Sequence, residues 1–208
     1  MAKPVLYHTP QTRGATTAWM NEELGDVCDI KLIDMKAGAQ KSQDYLKINP
    51  MGKIPALVHN GVAVTEVAAI CAYLADAFPQ AGLAPAANEA KRGAYFRWMF
   101  FAPSCIEPMM LDKFADIKRE NTSSVGYGSE KDVLHAVKIA LSDGPFLLGE
   151  KFTAADVVFG STLNFALMFG AIEKIEPFIS YTERLTSRPG FKSALEKDAE
   201  YMKELGME

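Results

Sequence analysis

The 208-residue chain contains few of the residues that build disulfide frameworks and metal sites, with three cysteines and three histidines. The cysteines are odd in number, far apart and without a C-x-x-C pair, which argues against a disulfide framework, a zinc site and a dithiol redox motif. A reducing compartment is the simpler expectation. The histidines, His8, His59 and His135, do not form a ligand cluster. We therefore expect no metal.

Long hydrophobic runs and basic tracts are missing too. No apolar run approaches the ~20 residues that cross a bilayer, and the chain runs straight into Val5-Leu6-Tyr7 without a charged leader and an apolar segment. The net charge of −4 comes from 22 basic and 26 acidic residues mixed throughout, so nothing indicates a nucleic-acid interface. We expect a cytoplasmic protein of one large or two small domains, with neither membrane nor nucleic acid as partner.

The most informative stretch begins at Pro50 and orders turn, X-Pro bond, strand, tight turn, second strand and helix start. Residues Ala56 to His59 predict a short strand, and Asn60-Gly61 suits a type I′ turn, whose two central residues need positive φ. Alanines, and apolar residues at spacings of three and four, then predict an amphipathic helix over 67–77. The stretch therefore predicts a β-hairpin followed by a helix.

The start of this helix, near Thr65-Glu66, has the character of a binding site for a zwitterion. The first N–H groups of a helix and its positive dipole end attract an anion, and Glu66 beside them would attract an amine. An α-amino acid carries both groups. The alternative is that Thr65 is only an N-cap and Glu66 only an acid that complements the helix dipole.

Three motifs follow one another along the chain. They are N-P-M-G-K-I-P-A-L from Asn49, T-E-V-A-A-I-C-A-Y-L-A-D from Thr65, and Phe152-Thr153-Ala154-Ala155-Asp156. Together they closely resemble the cytosolic glutathione transferases, as a bacterial member of a serine/threonine-type or unassigned class. The resemblance spans nearly the whole chain and implies glutathione as co-substrate, a role in detoxification and a homodimer.

The order of predicted elements divides the chain into two domains. Before the hairpin we expect a strand over 5–9, a helix over 14–24, a strand over 29–34 and a short helix over 42–48. With the hairpin and its helix, this order is thioredoxin-like. After it, only helices are expected, over 88–114, 130–141, 153–169, 177–187 and from Pro189. The fold class is thus an α/β thioredoxin-like domain over 1–79, a linker over 80–87 and an all-α helical bundle domain over 88–208.

The third motif predicts a folding element. Thr153 and Asp156 have the spacing of a capping box, and Phe152 precedes the cap where a hydrophobic staple onto Val157 is expected. In the resembled family this element nucleates a buried helix. Loss of a good N-cap costs about 1 kcal/mol.

The resemblance assigns the main glutathione contacts. Ile54, held by a cis Pro55, would pair with the cysteinyl backbone as an added strand, although from the residues alone Pro55 also fits a trans bond at the first position of a strand. Glu66 would hold the γ-glutamyl amine and the Val67 N–H its carboxylate. Relatives usually carry serine or threonine after the acid, and Val67 cannot donate a hydroxyl. A hydrogen bond to a charged group is worth about 1.5–3 kcal/mol, so its absence would weaken binding ten- to a hundredfold.

Two lysines are candidates for binding the glycyl carboxylate. Lys53 lies inside the first motif, and Lys41 lies close to it in the sequence. Lys41 is equally compatible with a solvated surface lysine.

The thiol of glutathione needs a protein group that lowers its pKa. A thiol with a pKa of about 8.5 is mostly protonated at neutral pH, and lowering that pKa by about two units takes about 2.7 kcal/mol. By alignment on Pro10 and Arg13, Thr12 falls where serine-type members carry their hydroxyl, so we expect Thr12 to donate to the sulfur, with the helix N-terminus behind it. Thr9 is the second candidate, and Tyr7 is better explained as a packed strand residue. Thr12 is also compatible with a plain N-cap.

The second substrate would lie against the helical domain. The helix over 88–114 is apolar on several faces and carries Pro103 and Pro108, which predict a bend. Most of its apolar side chains belong to the core. Glu107 is either a buried acid with a partner or a polar group of the pocket. The candidates for the electrophile pocket are Phe101, Glu107, Met109 and Phe114.

These expectations combine into one hypothesis with two alternatives. The protein would add the glutathione thiolate to a small hydrophobic electrophile by positioning and thiolate stabilisation, without a protein nucleophile. One alternative is a non-catalytic module that keeps the fold for binding or scaffolding. The other is a glutathione-dependent peroxidase or disulfide reductase, whose glutaredoxin-like form is weakened by the absence of cysteine from residues 9–14.

Overall fold

The computed structural model describes residues 2–207. These residues form two compact units. One contains the described residues up to Ala81 together with those from Ser187 onward, and the other is Gly82–Thr186.

The first unit is built on a mixed four-stranded sheet in the order β2-β1-β3-β4. The strands are β1 (Val5–His8), β2 (Asp29–Leu32), β3 (Ala56–His59) and β4 (Val62–Thr65). The first strand runs parallel to β2 and antiparallel to β3, and β3 and β4 form a hairpin. The helices of this unit are α1 (Gly14–Glu23), α2 (Gln43–Leu46), α3 (Val67–Ala77) and α9 (Pro189–Glu204).

The predicted hairpin and the helix after it are confirmed. Asn60 and Gly61 both have positive φ, at 51° and 79°, as a type I′ turn requires. The helix occupies the residues that the alanine-rich periodicity indicates. These features are encoded locally, because turn chemistry and hydrophobic spacing act within a few residues.

The register of the sheet brings distant parts of the chain to one end of it. Tyr7 in β1 is paired with Ala56 in β3, and Ala56 is paired with Thr65 in β4. The residues that follow β1, precede β3 and follow β4 are therefore neighbours. On one face, a buried cluster of Tyr7, Ile33, Tyr45, Ile54 and Ala56 supports this end.

The last helix belongs with the first unit, although the sequence placed it in the helical domain. Helix α9 packs against α1. Lys197 Nζ lies 2.7 Å from Glu22 Oε1, and Arg188 Nη2 lies 2.7 Å from Glu23 Oε2. The contact includes ion pairs between residues far apart in sequence, which hydrophobic periodicity does not reveal.

The second unit is helical. Its helices are α4 (Lys91–Phe101), α5 (Glu107–Phe114), α6 (Glu130–Ala140), α7 (Ala154–Met168) and α8 (Phe178–Thr186). The single helix expected over 88–114 is interrupted by a π-helical turn, Ala102–Ile106, which contains Pro103. Because proline has no N–H, it removes a hydrogen bond of the helix, and a π turn accommodates the loss.

The predicted capping box is confirmed at the start of α7. The Asp156 carboxylate accepts from the Thr153 N–H at 2.9 Å, the Leu147 N–H at 2.9 Å and the Tyr181 hydroxyl at 3.0 Å. Asp156 is fully buried, and this burial raises the pKa of its carboxyl group. The motif therefore links the start of α7 to the preceding loop and to α8.

No helix within the part of the chain that the structure describes is long and apolar enough to cross a membrane.

Candidate functional site

Three of the predicted site segments meet at the same end of the sheet. They are the turn after β1, the Ile54-Pro55 pair before β3, and Glu66 after β4. A Cβ added to Gly14, the first residue of α1, would lie 3.0 Å from Thr12 Oγ1 and 3.3 Å from Ile54 Cγ2. The start of α1 is thus packed closely against Ile54, and only a glycine fits there without displacing a neighbour.

The Ile54-Pro55 peptide bond is cis, as the family resemblance implied. Ile54 lies just outside the β3 ladder, and its backbone N–H and C=O form no hydrogen bond within residues 2–207. An unpaired donor and acceptor at the start of a strand are what an extended peptide needs to dock as an added strand.

The peptide before Ile54 is held by two side chains that the sequence analysis did not single out. The Tyr45 hydroxyl and the Asn49 amide both donate to the Lys53 carbonyl, at 2.6 Å and 2.8 Å. Burial raises the pKa of Tyr45 to about 12, so the hydroxyl keeps its proton as a donor. Asn49 lies within the quoted first motif, whereas Tyr45 gave no signal beyond its place in a short predicted helix.

Helix α3 begins without a side-chain cap. Its N-cap residue is Glu66, not Thr65, and Glu66 has φ 69° and ψ 126°. A positive φ is uncommon for a residue with a side chain and costs about 1–3 kcal/mol. Glu66 is exposed, and its carboxylate has no hydrogen-bond or ion-pair partner among the described residues. Free N–H groups, starting at Val67, therefore directly follow a residue whose carboxylate is free.

The two candidate lysines differ in their surroundings. Lys41 Nζ donates to the Met51 carbonyl at 3.0 Å, next to Gly52, whose φ is 59°. Lys53, which directly follows Gly52, is exposed. Both place positive charge near the turn before Ile54, and their binding role stays a prediction.

The two candidate threonines also differ. Thr9 is 1% exposed, and its hydroxyl donates to the Ile33 carbonyl at 2.6 Å. Thr12 is half-buried, donates to the Thr9 carbonyl at 2.7 Å and accepts from the Gly14 N–H at 3.0 Å. In this conformation the Thr9 hydroxyl faces the core, so Thr12 is the better-placed donor. The Thr12 hydroxyl oxygen also caps the start of α1. Thr12 therefore fits both roles considered for it, as a helix cap and as a donor to the thiol.

The four residues expected to line an electrophile pocket do not share one environment. Met109 is buried and lines a cavity of about 290 Å³ within the second unit. Phe101, Glu107 and Phe114 are not among the described residues that line this cavity. Phe101 is half-buried against Trp98, with ring centroids 5.4 Å apart, and Phe114 is 52% exposed. Glu107 is half-buried. Their common role stays a prediction.

The environments of the three cysteines keep their thiols protonated. Burial raises the pKa of the Cys28 thiol to about 12, and it raises those of Cys71 and Cys105 above their ordinary value. A protonated thiol is a poor nucleophile, so burial disfavours these three cysteines in that role. Among residues 2–207, no group of three or more histidine, cysteine or acidic side chains is arranged to hold a metal ion.

Comparisons with known proteins show the family to which this chain belongs. The family model "Glutathione S-transferase, N-terminal domain" matches residues 4–76. Glutathione S-transferase GstA of Escherichia coli O157:H7 is 30% identical over 164 residues, which cover 77% of this chain and 81% of that protein. A glutathione transferase structure from Methylococcus capsulatus has a TM-score of 0.77 at 26% identity, covering 94% of this chain and 98% of that one.

A second solved structure is the glutathione transferase URE2P6 from Phanerochaete chrysosporium, in complex with oxidized glutathione. It has a TM-score of 0.77 at 26% identity and covers 96% of this chain and 97% of that one. This chain therefore belongs to the cytosolic glutathione transferase family. The predicted fold class, a thioredoxin-like sheet domain followed by helices, is confirmed.

Proposed function

We propose that this protein binds reduced glutathione and transfers its thiolate to a small hydrophobic electrophile. The observation that carries the proposal is the set of unpaired polar groups at one end of the sheet. They are the backbone of Ile54, the N–H groups that begin at Val67 and the carboxylate of Glu66. A protein of this family, URE2P6, holds oxidized glutathione.

Each part of glutathione has a chemical complement in this set. The γ-glutamyl amine would pair with Glu66 and its carboxylate with the N–H of Val67 and the positive end of α3. The cysteinyl backbone would pair with Ile54 as an added strand. Lys53 and Lys41 would supply positive charge for the glycyl carboxylate.

The reaction requires a thiolate and no covalent protein intermediate. The thiol loses its proton to solvent, the sulfur attacks the electrophilic carbon, and the leaving group, such as chloride, departs with the electron pair. A hydroxyl donor and a helix N-terminus stabilise the thiolate. We assign these parts to Thr12 and to the start of α1, with the Thr12 hydroxyl turning from the Thr9 carbonyl to the sulfur.

Calorimetry with reduced glutathione, combined with a conjugation assay on a chlorinated aromatic, tests the proposal. We expect saturable binding and turnover that needs the protein. Binding without turnover would favour a non-catalytic binding module of this family. Binding with turnover only of a hydroperoxide would favour a peroxidase, and the absence of binding would overturn the proposal.

The remaining family expectations are part of the same proposal. We propose a homodimer and a role in cytoplasmic detoxification, with the electrophile bound near Phe101, Glu107, Met109 and Phe114. Light scattering coupled to size exclusion measures the mass in solution, and a single-chain mass of 22.8 kDa would contradict the dimer.

A further inference from the structure

A buried histidine adjoins the proposed thiol site without having been assigned a role in it. His8 is the last residue of β1 and is 0% exposed. Its Nε2 lies 2.8 Å from Oδ1 of Asp198 in α9. Because a carboxylate can only accept, the proton of this hydrogen bond belongs to the imidazole Nε2. The pair spans 190 positions of sequence.

The other ring nitrogen faces the start of α1. His8 Nδ1 is buried and has no hydrogen-bond partner among the described residues. A Cβ added to Gly14 would lie 2.7 Å from this nitrogen and 3.0 Å from Thr12 Oγ1. Gly14 at the start of α1 is therefore close to both the imidazole and the Thr12 hydroxyl. Unpartnered polar atoms in a protein interior are rare.

Helix α9 is well placed to fix the ring. The Asp198 side chain is only 13% exposed. The amino group of the preceding residue, Lys197, donates to the Glu22 carboxylate at 2.7 Å and to that of Asp26 at 3.0 Å, which ties α9 to α1 and to the turn after it. Tyr201 packs edge-on against His8, with ring centroids 5.9 Å apart. The imidazole is thus held from one side while its opposite edge abuts Gly14.

We propose that Asp198 and His8 form a positioning pair that sets the Thr12 hydroxyl and the first N–H groups of α1 for the glutathione thiol. Asp198 fixes the orientation of the imidazole, and the imidazole fixes how closely Gly14 approaches the end of β1. Thr12 follows, because its hydroxyl accepts from the Gly14 N–H at 3.0 Å. The effect of the pair on the glutathione thiol rests on the proposed function. The contact between His8 and Gly14 is independent of that function.

The proposal makes a selective prediction. Glu66, Val67 and the backbone of Ile54, which would hold the rest of glutathione, do not hydrogen-bond with His8 or Asp198. Loss of the pair should therefore impair ionisation of the bound thiol more than it impairs binding of the tripeptide. A purely structural role would instead lower stability and leave the thiol of the folded fraction unchanged.

The experiment compares Asp198→Ala with Asp198→Asn and with Lys197→Gln. The asparagine variant keeps an oxygen that accepts from His8 Nε2, and the glutamine variant loosens the same α1–α9 contact beside the pair. The readouts are kcat, the glutathione dissociation constant and the pH at which bound glutathione shows thiolate absorbance.

For Asp198→Ala we expect kcat to fall about tenfold and the thiol to ionise about one pH unit higher, with the dissociation constant within about twofold of the original. Asp198→Asn should restore most of both losses. Lys197→Gln should lower thermal stability without moving thiol ionisation. If Asp198→Ala does not fold, Asp198→Ser replaces it with a small polar group and carries the same expectation.

A double variant tests whether the effect passes through Thr12. In a Thr12→Ala background, Asp198→Ala should lower kcat by clearly less than it does alone, because one of the two groups that it positions is already gone. Independent, additive losses would overturn the proposal, as would unchanged thiol ionisation in a folded Asp198→Ala protein.

A readout without glutathione separates this inference from the proposed function. The backbone amide signal of Gly14 in nuclear magnetic resonance should shift in Asp198→Ala and stay in place in Lys197→Gln. If the original protein does not bind glutathione, the proposed function fails while this shift still supports the contact. An unmoved Gly14 signal in Asp198→Ala would overturn the inference whatever glutathione does.

Discussion

Helices α3 and α7 each begin beside a threonine and an acid, yet their first turns differ in almost every physical respect. At α7, Thr153 and Asp156 form a buried capping box whose carboxylate accepts from the backbone and from Tyr181. At α3, Glu66 takes a positive φ, no side chain caps the helix, and the carboxylate is exposed without a partner among residues 2–207.

The first turn of α7 therefore stabilises the fold, whereas that of α3 leaves polar groups available to a ligand. A side-chain cap stabilises a helix by about 1 kcal/mol, and α7 has this stabilisation while α3 forgoes it. The strain at Glu66 adds a further cost. The free N–H groups and the exposed acid have no partner among the described residues, and they are the groups that a zwitterionic ligand would satisfy. The comparison therefore predicts that substitutions at the two termini affect different properties.

The largest effect is expected for Asp156→Ala, which should lower the free energy of unfolding by about 3 kcal/mol. It leaves the Leu147 N–H and the Tyr181 hydroxyl buried without their acceptor. Urea denaturation measures the change. The matched control is Asp132→Ala at the start of α6, where Ser129 and an exposed Asp132 make a similar contact. That control should lose about 1 kcal/mol or less, and equal losses would refute the importance of burial at α7.

The second effect concerns binding. Glu66→Ala should weaken glutathione binding ten- to a hundredfold, because a hydrogen bond to a charged group is worth about 1.5–3 kcal/mol. Its free energy of unfolding should stay within about 0.5 kcal/mol, since Glu66 is exposed. Calorimetry and urea denaturation on the same protein give both values. Glu150→Ala, which removes another exposed acid, should change neither. A Glu66→Ala protein that binds glutathione unchanged would contradict the placement of the amine.

The third effect is a gain. Val67→Ser should tighten glutathione binding by up to about tenfold, because it adds a hydroxyl next to the free N–H groups of α3. Val67→Ala removes the same methyl groups without adding a donor, so it separates the hydroxyl from the change in shape. Clearly weaker binding by a folded Val67→Ser protein, measured by calorimetry, would show that the carboxylate does not lie at this position.

The sequence predicted what is encoded locally. Turn residues Asn60-Gly61, the spacing of apolar residues in α3 and the capping-box spacing of Thr153 each specify structure within a few residues. The cis bond before Pro55 was expected from the family resemblance, not from the residues alone.

Long-range polar contacts were beyond the sequence analysis. His8 and Asp198 meet across 190 positions, and Lys197 pairs with Glu22 across 175, so neither contact leaves a periodic trace in a single sequence. The conformation of Glu66 was also not predictable, because Thr-Glu before an apolar helix is equally typical of an ordinary cap. It takes the β3–β4 pairing to place Thr65 opposite Ala56 and Glu66 beyond the sheet.

The smallest effect tests the strain itself. Glu66→Gly should stabilise the protein by about 1 kcal/mol relative to Glu66→Ala, because glycine adopts φ 69° without the steric cost that any side chain meets there. Both variants lack the carboxylate and should bind glutathione equally weakly, so the difference in urea denaturation reports the backbone alone. If the glycine variant is no more stable than the alanine variant, the positive φ carries no cost. The contrast between α3 and α7 would then reduce to capping and burial.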